Sequence, residues 1–194
     1  MEAFLRQTRQ LRKAIGFGPV QKNGVLRKGA LPAAVVDADA LRMLSALPGW
    51  PGLLPPGSVL TPHPGEMSAL TGLDKETIQK DRRGIAKRFA GEWNAVVVLK
   101  GAFTVVAAPD GRTAVEPFAT SSLARAGTGD VLAGTIGGLL AQGIESWHAA
   151  VLGAYLHGRA GELAAVHAGA ADSILARDVA LFLSHSIAEL RGAV

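Results

Sequence analysis

The spacing of hydrophobic and polar positions changes several times along this chain, and each change marks an element. Residues 3–15 place Leu5, Leu11 and Ile15 among charged neighbours, which predicts a weakly amphipathic helix running into the turn Gly16-Phe17-Gly18-Pro19. Residues 33–37 (AAVVD) read as a short buried strand, followed by a helix capped near Asp39 that carries Leu41, Leu44 and Leu47. Four prolines and three glycines between positions 48 and 57 dictate a loop. Residues 58–61 form a second strand, closed by Pro62-His63-Pro64-Gly65, and a helix follows to Thr71 with Gly72 as its C-cap. Asp74 caps a charged amphipathic helix running to about Trp93.

The continuous β-branched run 95–99 (AVVVL) has the pattern of a parallel strand buried on both faces. A hairpin is expected next: 103–108 (FTVVAA), the turn Pro109-Asp110-Gly111-Arg112, then 113–117 (TAVEP). After an irregular stretch over 117–126, residues 127–143 are a loop opening into a helix. Two Ala/Leu-rich helices over roughly 146–167 and 173–191 complete the chain, with Gly169 between them. Strands alternating with helices predict an α/β domain with a largely parallel sheet.

Composition narrows the class. With 194 residues, 48% of them hydrophobic, the chain suffices for one domain with a real core, taken as residues 1–194. It has no cysteine, which excludes disulfides, thiolate zinc sites and cysteine nucleophiles together. No run approaches the roughly 20 apolar residues of a membrane span, and the opening residues lack the apolar core of a secretion signal. The expectation is a soluble, cytoplasmic protein with no membrane partner. Of the net charge of +4, residues 1–28 hold seven basic side chains against Glu2, so the rest of the chain is slightly acidic. No aromatic residue interleaves with those charges, so no stacking surface for single strands exists there. The segment reads as a solvated helix face, with no nucleic-acid partner.

Three places carry chemistry. Gly127-Thr128-Gly129-Asp130 precedes a helix, and glycines there let the backbone approach a ligand while the helix start supplies a positive dipole end. That is an anion site suited to phosphate. Asp130 makes sense within it as acceptor of a proton from an attacking hydroxyl, or as a helix cap. Lys100-Gly101, followed by Thr104, ends the central strand, where open α/β sheets bind ligands. It reads either as a nucleotide grip or as a strand-ending turn. Thr61-Pro62-His63-Pro64-Gly65-Glu66 restricts the direction of the histidine ring between two prolines. His63 and Glu66 are too few for a zinc site, and the segment is either a crevice wall or a rigid turn. No metal site is assigned. His148, His157, His167 and His185 read as satisfied helix histidines, and Trp93, Trp147 and Phe182 as core or capping residues.

The ordered series Val36-Asp37-Ala38-Asp39-Ala40-Leu41, LTPHPGEMSALTG (60–72), VVVLKGAFTVVAAPDGR (96–112), GTGDVLAGTIGGLLAQG (127–143) and AYLHGRAGELAA (154–165) resembles the ADP-dependent NAD(P)H-hydrate dehydratase family. That family also forms the C-terminal domain of a bifunctional nicotinamide nucleotide repair enzyme and is ribokinase-like. The resemblance covers about 14–194. It implies that hydrated NADH or NADPH (NADHX, NADPHX), as the S-epimer, is dehydrated with ADP as co-substrate and Mg2+, giving AMP, phosphate and the restored cofactor. Carried onto this chain, Asp130 is the base and the backbone of Gly127, Thr128 and Gly129 is the anion hole. Lys100, Gly101, Ala102, Phe103 and Thr104, with Gly129, hold the adenosine nucleotide. Gly18, His63 and Asp130 meet the hydrated nicotinamide, with Glu66 and Arg125 as further candidates. A homo-oligomer and an NAD(P)H-hydrate epimerase are the implied partners.

The chain departs from the family's pattern at four places. Gly16-Phe17-Gly18-Pro19-Val20 replaces Gly-Pro-Gly-Leu-Gly, Glu116-Pro117-Phe118-Ala119-Thr120 replaces Asn-Pro-Thr-Gly-Asn, Arg125 stands where threonine is commoner, and the family's first strands have no counterpart. Two other readings are a small-metabolite kinase of the same superfamily (the hydroxymethylpyrimidine-kinase type) and a shortened chain that binds nucleotide or supports an oligomer through an unpaired sheet edge.

Overall fold

The computed structural model describes residues 32–192. The expected helix over 3–15, the turn holding Gly18 and the basic opening segment lie outside the described residues. Five strands stand side by side in chain order: β1 (Val35–Val36), β2 (Val59–Leu60), β3 (Val96–Leu99), β4 (Val105–Ala107) and β5 (Thr113–Val115). β1, β2 and β3 are parallel, with Val35 opposite Val59 and Leu60 opposite Val97. β4 and β5 are antiparallel, with Leu99 opposite Val105 and Val106 opposite Ala114. The sheet is therefore mixed. Its parallel part follows from the strand–helix alternation, and its antiparallel part is the hairpin expected after the central strand. The Ala108 N–H donates to the Arg112 carbonyl at 2.9 Å, closing that hairpin around Gly111 at φ +91°.

Side chains on β3 alternate between two cores. Val97 and Leu99 pack with Leu41, Met67, Phe89 and Trp93 from α1 (Asp39–Ser45), α2 (Pro64–Thr71) and α4 (Arg82–Trp93). Ile78 of α3 (Lys75–Lys80) belongs to the same core. Val96 and Val98 pack with Leu132, Ile136 and Ala150 from α5 (Thr128–Ala141) and α6 (Ser146–Ala168). Covering both faces explains why the strand is apolar throughout, and each such side chain contributes about 1.5–3 kcal/mol by leaving water. α7 (Ala176–Leu190) lies outside, against α6. Among the described residues no helix is long and apolar enough to cross a membrane.

Local chemistry corrects several expected boundaries. The helix expected over 74–93 breaks at Asp81 (φ −140°, ψ 62°), which ends α3 and whose carboxylate accepts the Gly84 N–H of α4 at 2.8 Å. Asp39 is not a cap. It lies inside the first turn of α1, where the dipole favours a carboxylate, after Ala38 at φ 51°. The last helix starts at Ala176 rather than 173, because Ala171–Ser173 form a 3-10 turn and the Asp178 carboxylate accepts the Leu175 N–H at 2.9 Å. Trp50–Leu53 and Ser121–Leu123 add 3-10 turns to stretches expected to be irregular.

Three glycines on α6 let neighbouring segments approach it closely. A Cβ on Gly153 would lie 2.6 Å from Ile136, one on Gly158 2.1 Å from the Phe118 ring, and one on Gly161 2.6 Å from Leu123. Without those methyls α6 can lie flush against α5 and against the segment that leads into it.

Candidate active site

Because β1, β2 and β3 are parallel, the residues that leave their C-terminal ends share one edge of the sheet: Asp37, then Thr61 to His63, then Lys100. The Lys100 N–H donates to the Pro62 carbonyl at 2.8 Å. Its ammonium donates to Asp37 Oδ1 at 2.5 Å and lies 3.7 Å from Glu66 Oε2. All three side chains are less than a fifth exposed, so one cation is held between two carboxylates with little water. His63 is the N-cap of α2. Its Nδ1 accepts the N–H groups of Gly65 (2.9 Å) and Glu66 (3.2 Å), while Glu66 Oε2 accepts the His63 N–H at 2.7 Å. With Nδ1 accepting, the neutral ring carries its proton on Nε2, which lies 3.3 Å from Glu66 Oε1. The proline-flanked histidine is thus both a rigid cap and a link to the lysine.

The start of α5 faces the same place. Gly127, at φ +85°, is its N-cap and has no side-chain cap bond. The Thr128 hydroxyl reaches the carbonyls of Leu123 and Arg125, each at 2.8 Å. A Cβ on Gly129 would stand 3.4 Å from Lys100 Nζ and 3.5 Å from Asp37 Oδ2, so the glycine brings the helix start directly onto the ion pair. Asp130 lies in the first turn and is exposed. The N-cap position belongs to Gly127, so capping does not explain Asp130. From behind, His157 of α6 holds this turn through Nε2, 2.9 Å from the Thr128 carbonyl. A carbonyl only accepts, so Nε2 bears the proton and donates. Burial pushes His157 down to about 4, the bond to Thr128 opposes that, and the Lys100 charge adds to it. The ring is neutral at physiological pH.

Between these parts lies a cleft of about 360 Å³, walled by Lys100, Gly101, Ala102 and Thr104 on one side and by Phe118, Thr120, Thr128, Gly129 and His157 on the other. The first wall is an unusual backbone: Gly101 has φ +147° and Phe103 φ +54°. The Phe103 N–H donates to the Phe118 carbonyl at 2.8 Å and the Thr104 hydroxyl to the Gly101 carbonyl at 3.0 Å. Behind the cleft, Glu116 shares a void of about 30 Å³ with Thr104 and His157. Burial raises its carboxyl to about 7.

The structure therefore brings Lys100, Gly101, Ala102, Thr104, Thr128 and Gly129 to one cleft, with Gly127 and Asp130 in the same turn. His63 and Glu66 reach it through Lys100. Phe103 points its side chain to solvent. Arg125 turns away, donating to the Asp172 carbonyl at 2.5 Å. Gly18 lies outside the described residues. Sequence reasoning missed Asp37, Phe118 and His157. For Asp37, its place at the end of AAVVD was the available signal.

The sequence profile described as Carb_kinase, NAD(P)H-hydrate dehydratase, matches residues 21–182. The chain belongs to this family. Among relatives, the bifunctional NAD(P)H-hydrate repair enzyme Nnr of Moorella thermoacetica is 48% identical over 161 residues, covering 81% of this chain and 29% of that protein. The ADP-dependent (S)-NAD(P)H-hydrate dehydratase of Neisseria meningitidis is 40% identical, covering 81% of this chain and 54% of that one. The crystal structure of the Bacillus subtilis ADP/ATP-dependent NAD(P)H-hydrate dehydratase, co-crystallised with ATP/Mg2+ and soaked with CoA, superposes at a TM-score of 0.72 with 35% identity, over 81% of this chain and 56% of that one. A ribokinase-like superfamily protein of Enterococcus faecalis superposes at 0.60 with 25% identity, over 79% and 53% of the two chains. The fold is ribokinase-like. The chain spans about half the length of its single-function dehydratase relatives and under a third of the bifunctional one.

Proposed function

We propose that this protein dehydrates the S-epimer of hydrated NADH and NADPH at the expense of ADP, a repair of the nicotinamide cofactor. The carrying observation is the first turn of α5: an exposed carboxylate, Asp130, directly follows Gly129, whose backbone lies against the Lys100 ammonium. The helix dipole favours a carboxylate in that turn, but beside a bound phosphate it repels, a cost that makes sense where a proton must be removed. In this reading Asp130 takes the proton of the ring hydroxyl, and that oxygen attacks the terminal phosphoryl group of ADP, releasing AMP. The phosphorylated ring then loses phosphate and a proton from the neighbouring carbon, which restores the double bond. N–H groups of Gly127, Thr128 and Gly129 offset charge on the moving phosphoryl group. Lys100 and residues 101–104 hold the nucleotide, and His63, with Gly18 and Glu66, borders the nicotinamide side.

Magnesium fits this arrangement as an ion carried on the nucleotide phosphates. Among the described residues no cluster of three His, Asp or Glu is available to cage a metal, and Asp37 and Glu66 already share Lys100. Mg2+ held chiefly by the nucleotide phosphates and water is an ordinary form of such sites. When bound, it neutralises phosphate charge. A homo-oligomer, an NAD(P)H-hydrate epimerase as the matching upstream partner and a cytoplasmic setting complete the reading. The test is direct: hydrated NADH, ADP and Mg2+ are incubated with the folded protein, and recovery of NADH absorbance is followed. No recovery with ADP or ATP sinks the reading. A stable phosphorylated product would move the protein among the kinases of its superfamily.

A further inference from the structure

The wall formed by residues 99–104 is held from below by a side chain outside the cleft. Arg82 opens α4, on the face of the sheet away from α5. One of its terminal nitrogens donates to the Leu99 carbonyl at 2.8 Å and the other to the carbonyl of Ala102. The guanidinium thus spans the loop from the last residue of β3 to the residue after Gly101. It also fills the space beneath that glycine: a Cβ at Gly101 would come within 2.9 Å of Arg82 Nη2.

The loop needs such a brace. Gly101 at φ +147° and Phe103 at φ +54° occupy backbone regions that L-residues rarely adopt. Such a conformation persists only where its surroundings over-determine it. Among the contacts that fix it are those of Lys100 with Pro62 and Asp37, Phe103 with Phe118, Thr104 with Gly101 and the Glu116 N–H with the Thr104 carbonyl. Arg82 reaches the loop from beneath the sheet. It is half-buried, its charge is desolvated enough to lower its pKa, and its Nε is buried without a partner among the described residues. A guanidinium tolerates such burial only when its remaining donors are well used, and these two are spent on the loop.

We propose that Arg82 is a positioning residue for nucleotide binding: it holds residues 99–104 in the shape that receives ADP, without touching the nucleotide. This rests on the assignment of that loop to ADP. The fork geometry explains why arginine and not lysine serves here, since only a planar guanidinium reaches two carbonyls from fixed positions.

The test is calorimetric ADP binding to the 194-residue protein and to Arg82→Met, Arg82→Lys and Gly101→Ala, with turnover of hydrated NADH measured alongside. Arg82→Met is expected to weaken ADP binding at least tenfold while KM for hydrated NADH changes less than twofold. Arg82→Lys, able to reach one carbonyl at a time, should fall between. Gly101→Ala, which forces a methyl onto the guanidinium, should reproduce the ADP defect. In the double variant with Arg82→Met, its added effect should shrink to less than half. ADP affinity unchanged in a folded Arg82→Met protein overturns the proposal. So does an equal loss for both substrates accompanied by loss of the circular-dichroism signal and thermal transition in both Arg82 variants, which would make Arg82 merely structural. If the unaltered protein binds ADP but never restores NADH, the dehydratase reading fails while the role of Arg82 is still decided by the affinities. If it binds no ADP at all, both fail.

Discussion

The cleft and the charged cluster beside it are built from different materials. The part formed by residues 99–104 and the start of α5 is mostly main chain: glycines at 101, 127 and 129, ordered through carbonyls, N–H groups and short hydroxyls, with the Arg82 guanidinium and the His157 ring donating to its carbonyls from outside. The cluster formed by residues 61–66 and Asp37 is side-chain charge, with Lys100 drawn between two carboxylates and a histidine locked onto one of them. A main-chain wall is damaged by adding atoms, and a charged cluster by removing one. That contrast separates how the two fail.

Four sets of substitutions would break or sharpen it. Asp130→Asn, at the junction, should lower kcat by about 10²–10⁴-fold, the usual contribution of a positioned base, with the Kd for ADP by calorimetry within about threefold. Equal loss of both would make Asp130 part of the binding wall. Lys100→Met should leave Asp37 and Glu66 facing each other unneutralised, lowering unfolding free energy in urea by about 3–5 kcal/mol. Adding Asp37→Asn should recover part of that, and strict additivity would show that the pair does not couple.

Third in size is a pair of opposed pH dependences, each on the order of 3 kcal/mol at full expression. His157 is held near 4, below its ordinary 6.5, so as pH falls from 6.5 to 4 the unfolded chain takes up a proton that the fold refuses, and stability drops. Glu116 is held near 7, above 4.5, so as pH rises from 4.5 to 7 the unfolded chain releases a proton that the fold keeps, and stability again drops. The two oppose each other between pH 4.5 and 6.5. Glu116→Gln should therefore stabilise the protein at about pH 8 but not at about pH 4, and His157→Gln should flatten the acid limb. Melts of both variants that run parallel to the wild type across that range would refute the assignment. The smallest effect is expected for Gly158→Ala. Its methyl lands on the Phe118 ring and should cost about 1–3 kcal/mol by overpacking, with a weaker ADP Kd because Phe118 lines the cleft.

Features set by local chemistry were legible in the sequence. The run VVVL needed no context to be a strand buried on both faces, and Gly72 closes α2 at φ +75° as a C-cap glycine should. Gly127 to Asp130 do open a helix, and the 109–112 turn does close a hairpin. What escaped was pairing between distant positions. Nothing in AAVVD announces that Asp37 will meet a lysine 63 residues later, nor that Arg125 will be captured by a carbonyl 47 residues on. His157 is satisfied, as a helix histidine should be, but its partner is the Thr128 carbonyl inside the anion turn, and helical spacing could not reveal that. The break at Asp81 was missed because an aspartate in a charged helix looks like one more solvated residue until its carboxylate is seen to take the Gly84 N–H.

Gly158 also bears on how such a cleft changes over generations. The Phe118 ring stands where it does because α6 lacks one methyl behind it. The width of the opening is thus recorded in a helix position one layer behind the lining. Selection for a bulkier or slimmer ligand can act there in steps of a single carbon while every lining residue stays the same. A comparison restricted to lining residues would overlook the dial.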